Sequence, residues 1–134
     1  MAAPLQTTEL QEIAQNACTT VLGSATKYDH SSVAGWNTEI INTILQSLIS
    51  RTTPSSSSGS SDTPAPQYKY IVNSTIIQHP SAPSGSGEHA GRRGMHSAVG
   101  AYWNNERDGT WSFKWEGAEE RGMDVVVSVT WVGV

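Results

Sequence analysis

Four histidines, one cysteine and a scatter of carboxylates are the side chains that could do chemistry in this chain of 134 residues. His30, His79, His89 and His96 invite a metal reading. A closed zinc site takes four ligands, and no carboxylate or cysteine stands at ligand spacing with His89 and His96. Cys18 would need a base partner and an electropositive setting to act as a nucleophile. It lies beside the apolar stripe of a helical stretch, which suits a buried, inert thiol. Gly85, Gly87, Gly91 and Gly94 form a glycine-rich region. It lacks the preceding strand and following helix that a phosphate loop needs. No nucleophile–base pair is legible, so the residues point away from catalysis and from any cofactor.

The five tryptophans are heavy usage for this length. Trp111, Phe113 and Trp115 alternate with Ser112 and Lys114, so one face of a strand there is aromatic. Such a stripe serves core packing, dimer packing or direct contact with a partner. Glu106, Arg107 and Asp108 read as a solvated turn tip. Glu119, Glu120, Arg121 and Asp124 read as a solvated, largely acidic face, useful for encounter with a basic peptide. Asn73-Ser74-Thr75 fits the glycosylation sequon, but it falls in mid-strand.

The elements that position these residues follow from periodicity. Residues 68–79, YKYIVNSTIIQH, are rich in Tyr, Ile, Val and Thr and read as one long strand. Both its faces are largely apolar, which places it at the centre of a sheet. Before it come two helices. The first spans about residues 8–22, with Thr7 or Thr8 as cap, acidic residues in its first turn and Gly23 as C-cap. The second begins at Ser31 or Ser32 and runs to about Arg51, with Val33, Trp36, Ile40, Ile41, Ile44, Leu45, Leu48 and Ile49 on one face. His30 orients its start. After the long strand come strands over 97–103, 110–116 and 124–132, with Asp108-Gly109 as a hairpin signal. Residues 52–66 and 80–94 are Ser/Gly/Pro-rich, the composition of flexible inserts.

One α+β domain over residues 1–134 results, with two N-terminal helices packed on a four-stranded antiparallel sheet. Net charge is −4, so no overall electrostatic footprint for nucleic acid is present. No apolar run approaches the ~18 residues of a membrane span, and no signal peptide is visible. A lone cysteine excludes an internal disulfide and suits a reducing, cytosolic setting.

These elements carry the ordered motifs of a known family. They are Tyr28, His30, Ser31, Val33 and Trp36; Lys69-Tyr70-Ile71-Val72 and Gln78; Tyr102-Trp103; Asp108-Gly109; Trp115-Glu116; and a closing Val-rich strand. Gly87 and His89 match more loosely. The chain resembles the Tctex-type dynein light chains, and it departs from them in its two inserts. The resemblance implies a non-catalytic, cytoplasmic subunit of the dynein motor, working on microtubules. It implies a homodimer that exchanges its second strand and binds the dynein intermediate chain, and possible cargo peptides, by β-strand addition. It implies no membrane or nucleic-acid partner. On this reading Val99, Gly100, Ala101, Tyr102 and Trp103 form the exchanged strand. Trp111, Ser112, Phe113, Lys114 and Trp115 form the edge and groove. A peptide-binding dimerisation hub of the same fold, independent of dynein, fits the same motifs.

Overall fold

The computed structural model describes residues 3–53, 67–78, 96 and 98–134. Helix α1 covers Thr7–Leu22 and α2 covers Val33–Thr52. Strands β1 (Tyr68–Gln78), β2 (Gly109–Trp115) and β3 (Met123–Gly133) form an antiparallel sheet in the order β1-β3-β2. A 3₁₀ helix, Glu116–Arg121, joins β2 to β3. Among the described residues, no helix is long and apolar enough to cross a membrane. The two Ser/Gly/Pro-rich inserts lie outside the described residues, apart from Thr52, the last residue of α2, and Thr53.

The two helices obey their apolar stripes. Leu10, Ile13, Ala14, Ala17, Cys18 and Leu22 of α1 are buried, as are Ile40, Ile44 and Leu48 of α2. They close one face of the sheet, against Val125, Val127, Val129 and Trp131 of β3. The caps differ from expectation. Gln6 rather than a threonine precedes α1, and its N–H donates to Glu9 Oε2 at 3.0 Å. Gly23 keeps right-handed angles (φ −59°) and continues the helical bonding to Thr19. Before α2, Asp29 does the organising. Its Oδ1 accepts from the Ser31 N–H and hydroxyl, and its Oδ2 from the Ser32 hydroxyl. Those bonds, the Ser31 hydroxyl first, hold its carboxyl below the usual range. His30 contributes a 2.8 Å contact between its Nδ1 and the Tyr28 hydroxyl.

Three expectations about the sheet are corrected. The long strand β1 lies at an edge, and β3 is central. β3 has Val125, Val127 and Val129 on its buried face and Val126 and Val132 on the other, the apolar wealth a doubly paired strand needs. β1 alternates instead: Tyr68, Tyr70, Val72, Ser74 and Ile76 turn in, while Lys69, Ile71, Asn73, Thr75 and Ile77 stand exposed. Second, the sheet has three strands among the described residues, not four. Residues 98–103 run outside it, with Ala98 to Tyr102 exposed. These β-prone residues have no ladder partner among the described residues.

Third, Asp108-Gly109 is not a two-residue hairpin. Such a turn needs positive φ at its central residues, and among described residues only Gly122 has one, at 69°. The chain coils from Asn104 to Asp108 instead, closed by Asp108 N–H to the Asn104 carbonyl at 2.8 Å. Gly109 answers a different demand: a Cβ there would lie 2.6 Å from the Trp131 ring. Asp108 is no solvated tip either, being only 4 % exposed.

Cys18 is fully buried, and burial pushes its thiol from 9.0 up to about 12. The folded value exceeds the unfolded one, so the stability this contributes is whole below pH 9 and is lost as pH climbs towards 12. Iodoacetamide at pH 8 should therefore leave the native chain unlabelled and modify it rapidly in denaturant. A Cys18→Ala chain should lose less stability than the parent over that alkaline window. Rapid labelling of the native protein would contradict the placement.

Candidate strand-addition site

Among the described residues the sheet has two unpaired edges, and the β1 edge has a built surround. Helix α2 lies over β1. The Tyr70 hydroxyl donates to Thr52 Oγ1 at 2.8 Å and the Ser74 hydroxyl to Asn37 Oδ1 at 2.7 Å. Burial pushes the Tyr70 hydroxyl pKa up, which keeps it a donor. On the flank of α2 facing α1, Arg51 reaches Glu12 at 3.7 Å. Ile49 stands roughly 160° round the helix from Arg51 by the 3.6-residue turn. It therefore projects on the flank away from α1, above the free edge of β1, and is 54 % exposed. Leu45, one turn earlier on that flank, is half-buried. The result is an apolar ledge running beside unpaired backbone N–H and C=O groups.

At the Gln78 end of β1, beside the start of α2, lies a depression of about 510 Å³. The α1–α2 connection forms its wall, with Lys27, Tyr28, His30 and Trp36 among the lining residues. The depression mixes aromatic rings, a cation and hydroxyls, which suits a peptide end. Among the described residues, no group of three metal-ligating side chains converges. His79 and His89 lie outside the described residues.

Among the described residues, the face of the sheet away from the helices is uncovered. Across it run Lys69–Val132, Ile71–Thr130–Thr110, Asn73–Ser128–Ser112 and Thr75–Val126–Lys114. Hydroxyl pairs tie β2 to β3 there: Thr110 with Thr130 at 3.2 Å and Ser112 with Ser128 at 3.0 Å. Ile71 (59 %) and Ile77 add exposed apolar area.

The residues singled out from sequence fall into two groups. Val99, Gly100, Ala101 and Tyr102 lie in the exposed, unpaired segment, and Tyr102 is fully open to solvent. Trp103 is half-buried, its Nε1–H donating to Asn105 Oδ1 at 2.9 Å. The second group lies within β2. Trp111 and Phe113 turn inward and stack at 5.7 Å, and Trp115 is buried. These rings pack the core, so the aromatic stripe serves the helices. Ser112 and Lys114 face the uncovered side, where Lys114 reaches Glu119 at 3.5 Å and Asp124 at 3.6 Å.

Leu45 and Ile49, expected within the apolar stripe of α2, depart from it: Ile49 is exposed and Leu45 half-buried, because the helix buries only the narrower row of Ile40, Ile44 and Leu48. Arg121, expected on a solvated face, also departs from that reading. That guanidinium donates to the carbonyls of Ala25 (2.9 Å), Gly117 (2.6 Å) and Gly23 (3.1 Å) and lies 5.2 Å over the Trp115 ring. It fastens the end of α1 to the 3₁₀ helix, and so fixes the wall of the depression.

The comparisons with known proteins agree with this architecture. The model of the Tctex-1 family matches residues 4–132. A "Dynein light chain Tctex-type" of Schizosaccharomyces pombe is 32 % identical over the full length of both chains. One from Drosophila melanogaster is 31 % identical over 83 % of this chain and 74 % of its own. The human "Dynein light chain Tctex-type 3" is 25 % identical over 90 % of this chain and 80 % of its own. With the family match spanning nearly every described element, this chain belongs to the Tctex-1 family, the family of the Tctex-type dynein light chains.

Proposed function

We propose that the chain is a non-catalytic, homodimeric light chain of cytoplasmic dynein that holds a segment of the dynein intermediate chain by β-strand addition. One observation carries the reading. A β-prone segment, residues 98–103, stands unpaired and exposed in a chain whose sheet has unpaired edges. Exposed strand and exposed edge are complementary liabilities, and exchange between two copies removes both.

The acceptor edge is β1. It is 11 residues long against 7 for β2, and the Leu45–Ile49 ledge overhangs it. The β2 edge carries Lys114 next to its last residue, a residue type that guards edges against pairing. Partner residues Val99 to Trp103 extend the sheet at β1, and the intermediate-chain segment adds outside them, under α2. The uncovered sheet face meets its copy across the dimer axis. Ser112 and Lys114 then belong to the dimer contact, and Trp111, Phe113 and Trp115 hold their strand from behind. Two sites on one dimer bind two intermediate chains with a gain from effective concentration. Cargo peptides of extended form would use the same groove.

A fluorescein-labelled N-terminal segment of the dynein intermediate chain tests this by anisotropy. Saturable binding at one segment per protomer is expected, with an Ile49→Glu chain weakened at least about tenfold. A dimer that leaves the segment free while capturing other extended peptides would favour a hub working apart from dynein. A chain that binds neither would overturn the proposal.

A further inference from the structure

We propose that the Asp108 carboxylate is the positioning group that keeps residues 98–103 off their own sheet and so commits them to a second copy of the chain. The inference rests on the strand-exchange reading above and adds the residue that enforces it.

Length does not forbid a closed monomer. Five residues separate Trp103 from Gly109, within the range of hairpin loops. A tighter hairpin at Asp108-Gly109 would set Arg107 opposite Thr110 and Tyr102 opposite Trp115, along the free edge of β2. The dipeptide itself is among the strongest hairpin signals. The structure nonetheless refuses it, and the bonds that do so converge on one side chain.

Asp108 Oδ2 accepts from the Asn104 N–H at 2.8 Å and Oδ1 from the Gly133 N–H at 2.7 Å. The first bond coils residues 104–108 on themselves, and Asn104 Oδ1 tightens the coil by accepting from the Glu106 N–H at 2.9 Å. The second bond ties the coil to the end of β3. Arg107 locks the same junction. Its guanidinium donates to the carbonyls of Val134 (3.1 Å) and Gln67 (3.2 Å) and lies 5.3 Å over the Tyr68 ring. With Asp108 facing β3 and Arg107 spent on the β1–β3 junction, the chain before Asn104 cannot fold back along β2. A buried carboxylate serving only as a turn residue would not need to bridge two elements; this one caps the last N–H of the central strand.

The test is an Asp108→Asn chain, with Arg107→Gln as an independent release of the lock. The amide of the first variant can accept at only one of its two former donors. It also converts the dipeptide to Asn-Gly, the stronger hairpin former. Sedimentation equilibrium should show the dimer dissociation constant raised at least tenfold for Asp108→Asn and by a smaller factor for Arg107→Gln. Hydrogen exchange should show new protection at amides 102–107 of the monomer. Folded variants that dimerise within twofold of the parent, with no new protection, overturn the role of Asp108 while leaving exchange intact. Should Asp108→Asn fail to fold, Arg107→Gln decides alone by the same criterion. A parent chain that is monomeric removes the exchange reading and this inference together.

Discussion

An Ile71→Glu chain should sediment as a monomer at concentrations where the parent is a dimer. Ile71 stands at the middle row of the uncovered face, level with Thr130 and Thr110, and is 59 % exposed in the protomer. Two sheets packed face to face lie about 10 Å apart, close enough to exclude water between their central rows. A two-fold axis places the substitution at the interface twice, so two carboxylates would be buried without partners. Each costs several kcal/mol unless it escapes to solvent or takes up a proton. Even with relaxation, a loss of about 3 kcal/mol follows, or roughly a hundredfold in the dissociation constant. The protomer itself should fold as before, because the side chain leaves no core contact behind. Circular dichroism melts under dimer-dissociating dilution separate the two effects. An unchanged dimer would show that the partner does not sit on this face.

Replacing Arg121 with alanine should cost the fold about 2–4 kcal/mol, from hydrogen bonds of a charged donor and its aromatic contact. Three carbonyls lose a donor: Ala25, Gly117 and Gly23. The Gly23 and Ala25 groups lie just beyond the last turn of α1, where carbonyls lack helical partners and a cation is favoured. Loss of the guanidinium also uncovers the Trp115 ring. Urea unfolding measures the difference, with a fall in midpoint at unchanged slope as the signature. Arg121→Lys should recover little, since one ammonium cannot span three carbonyls as a planar fork does. A loss under about 0.5 kcal/mol would mean that α1 is held by its apolar stripe alone.

Those two residues mark where the sequence was legible and where it was not. Both helices, β1, β2 and β3 were readable to within a residue or two, because apolar periodicity and β-branched runs report local burial. Alternation put Trp111, Phe113 and Trp115 on one face but left open whether that face met the core or a partner; the inward turn is fixed by packing against the helices. What failed was whatever depends on distant partners. Arg121 looked like part of a solvated acidic face, yet its partner Ala25 is 96 residues away. Asp108 looked like a turn residue because Asp-Gly usually is one; its true partner, the Gly133 N–H, belongs to another strand. β1 looked central because both faces carry apolar residues, but strand order is set by pairing, which single-strand composition does not encode. Residues 98–103 were legible as β-prone and illegible as unpaired, since the sequence of one chain says nothing of where a ladder is completed.

The most direct test of the account is sedimentation equilibrium of the purified chain, alone and with an N-terminal fragment of the dynein intermediate chain. The expected result is a homodimer that takes up two fragments. A monomer, or a dimer whose mass is unchanged by the fragment, would contradict it.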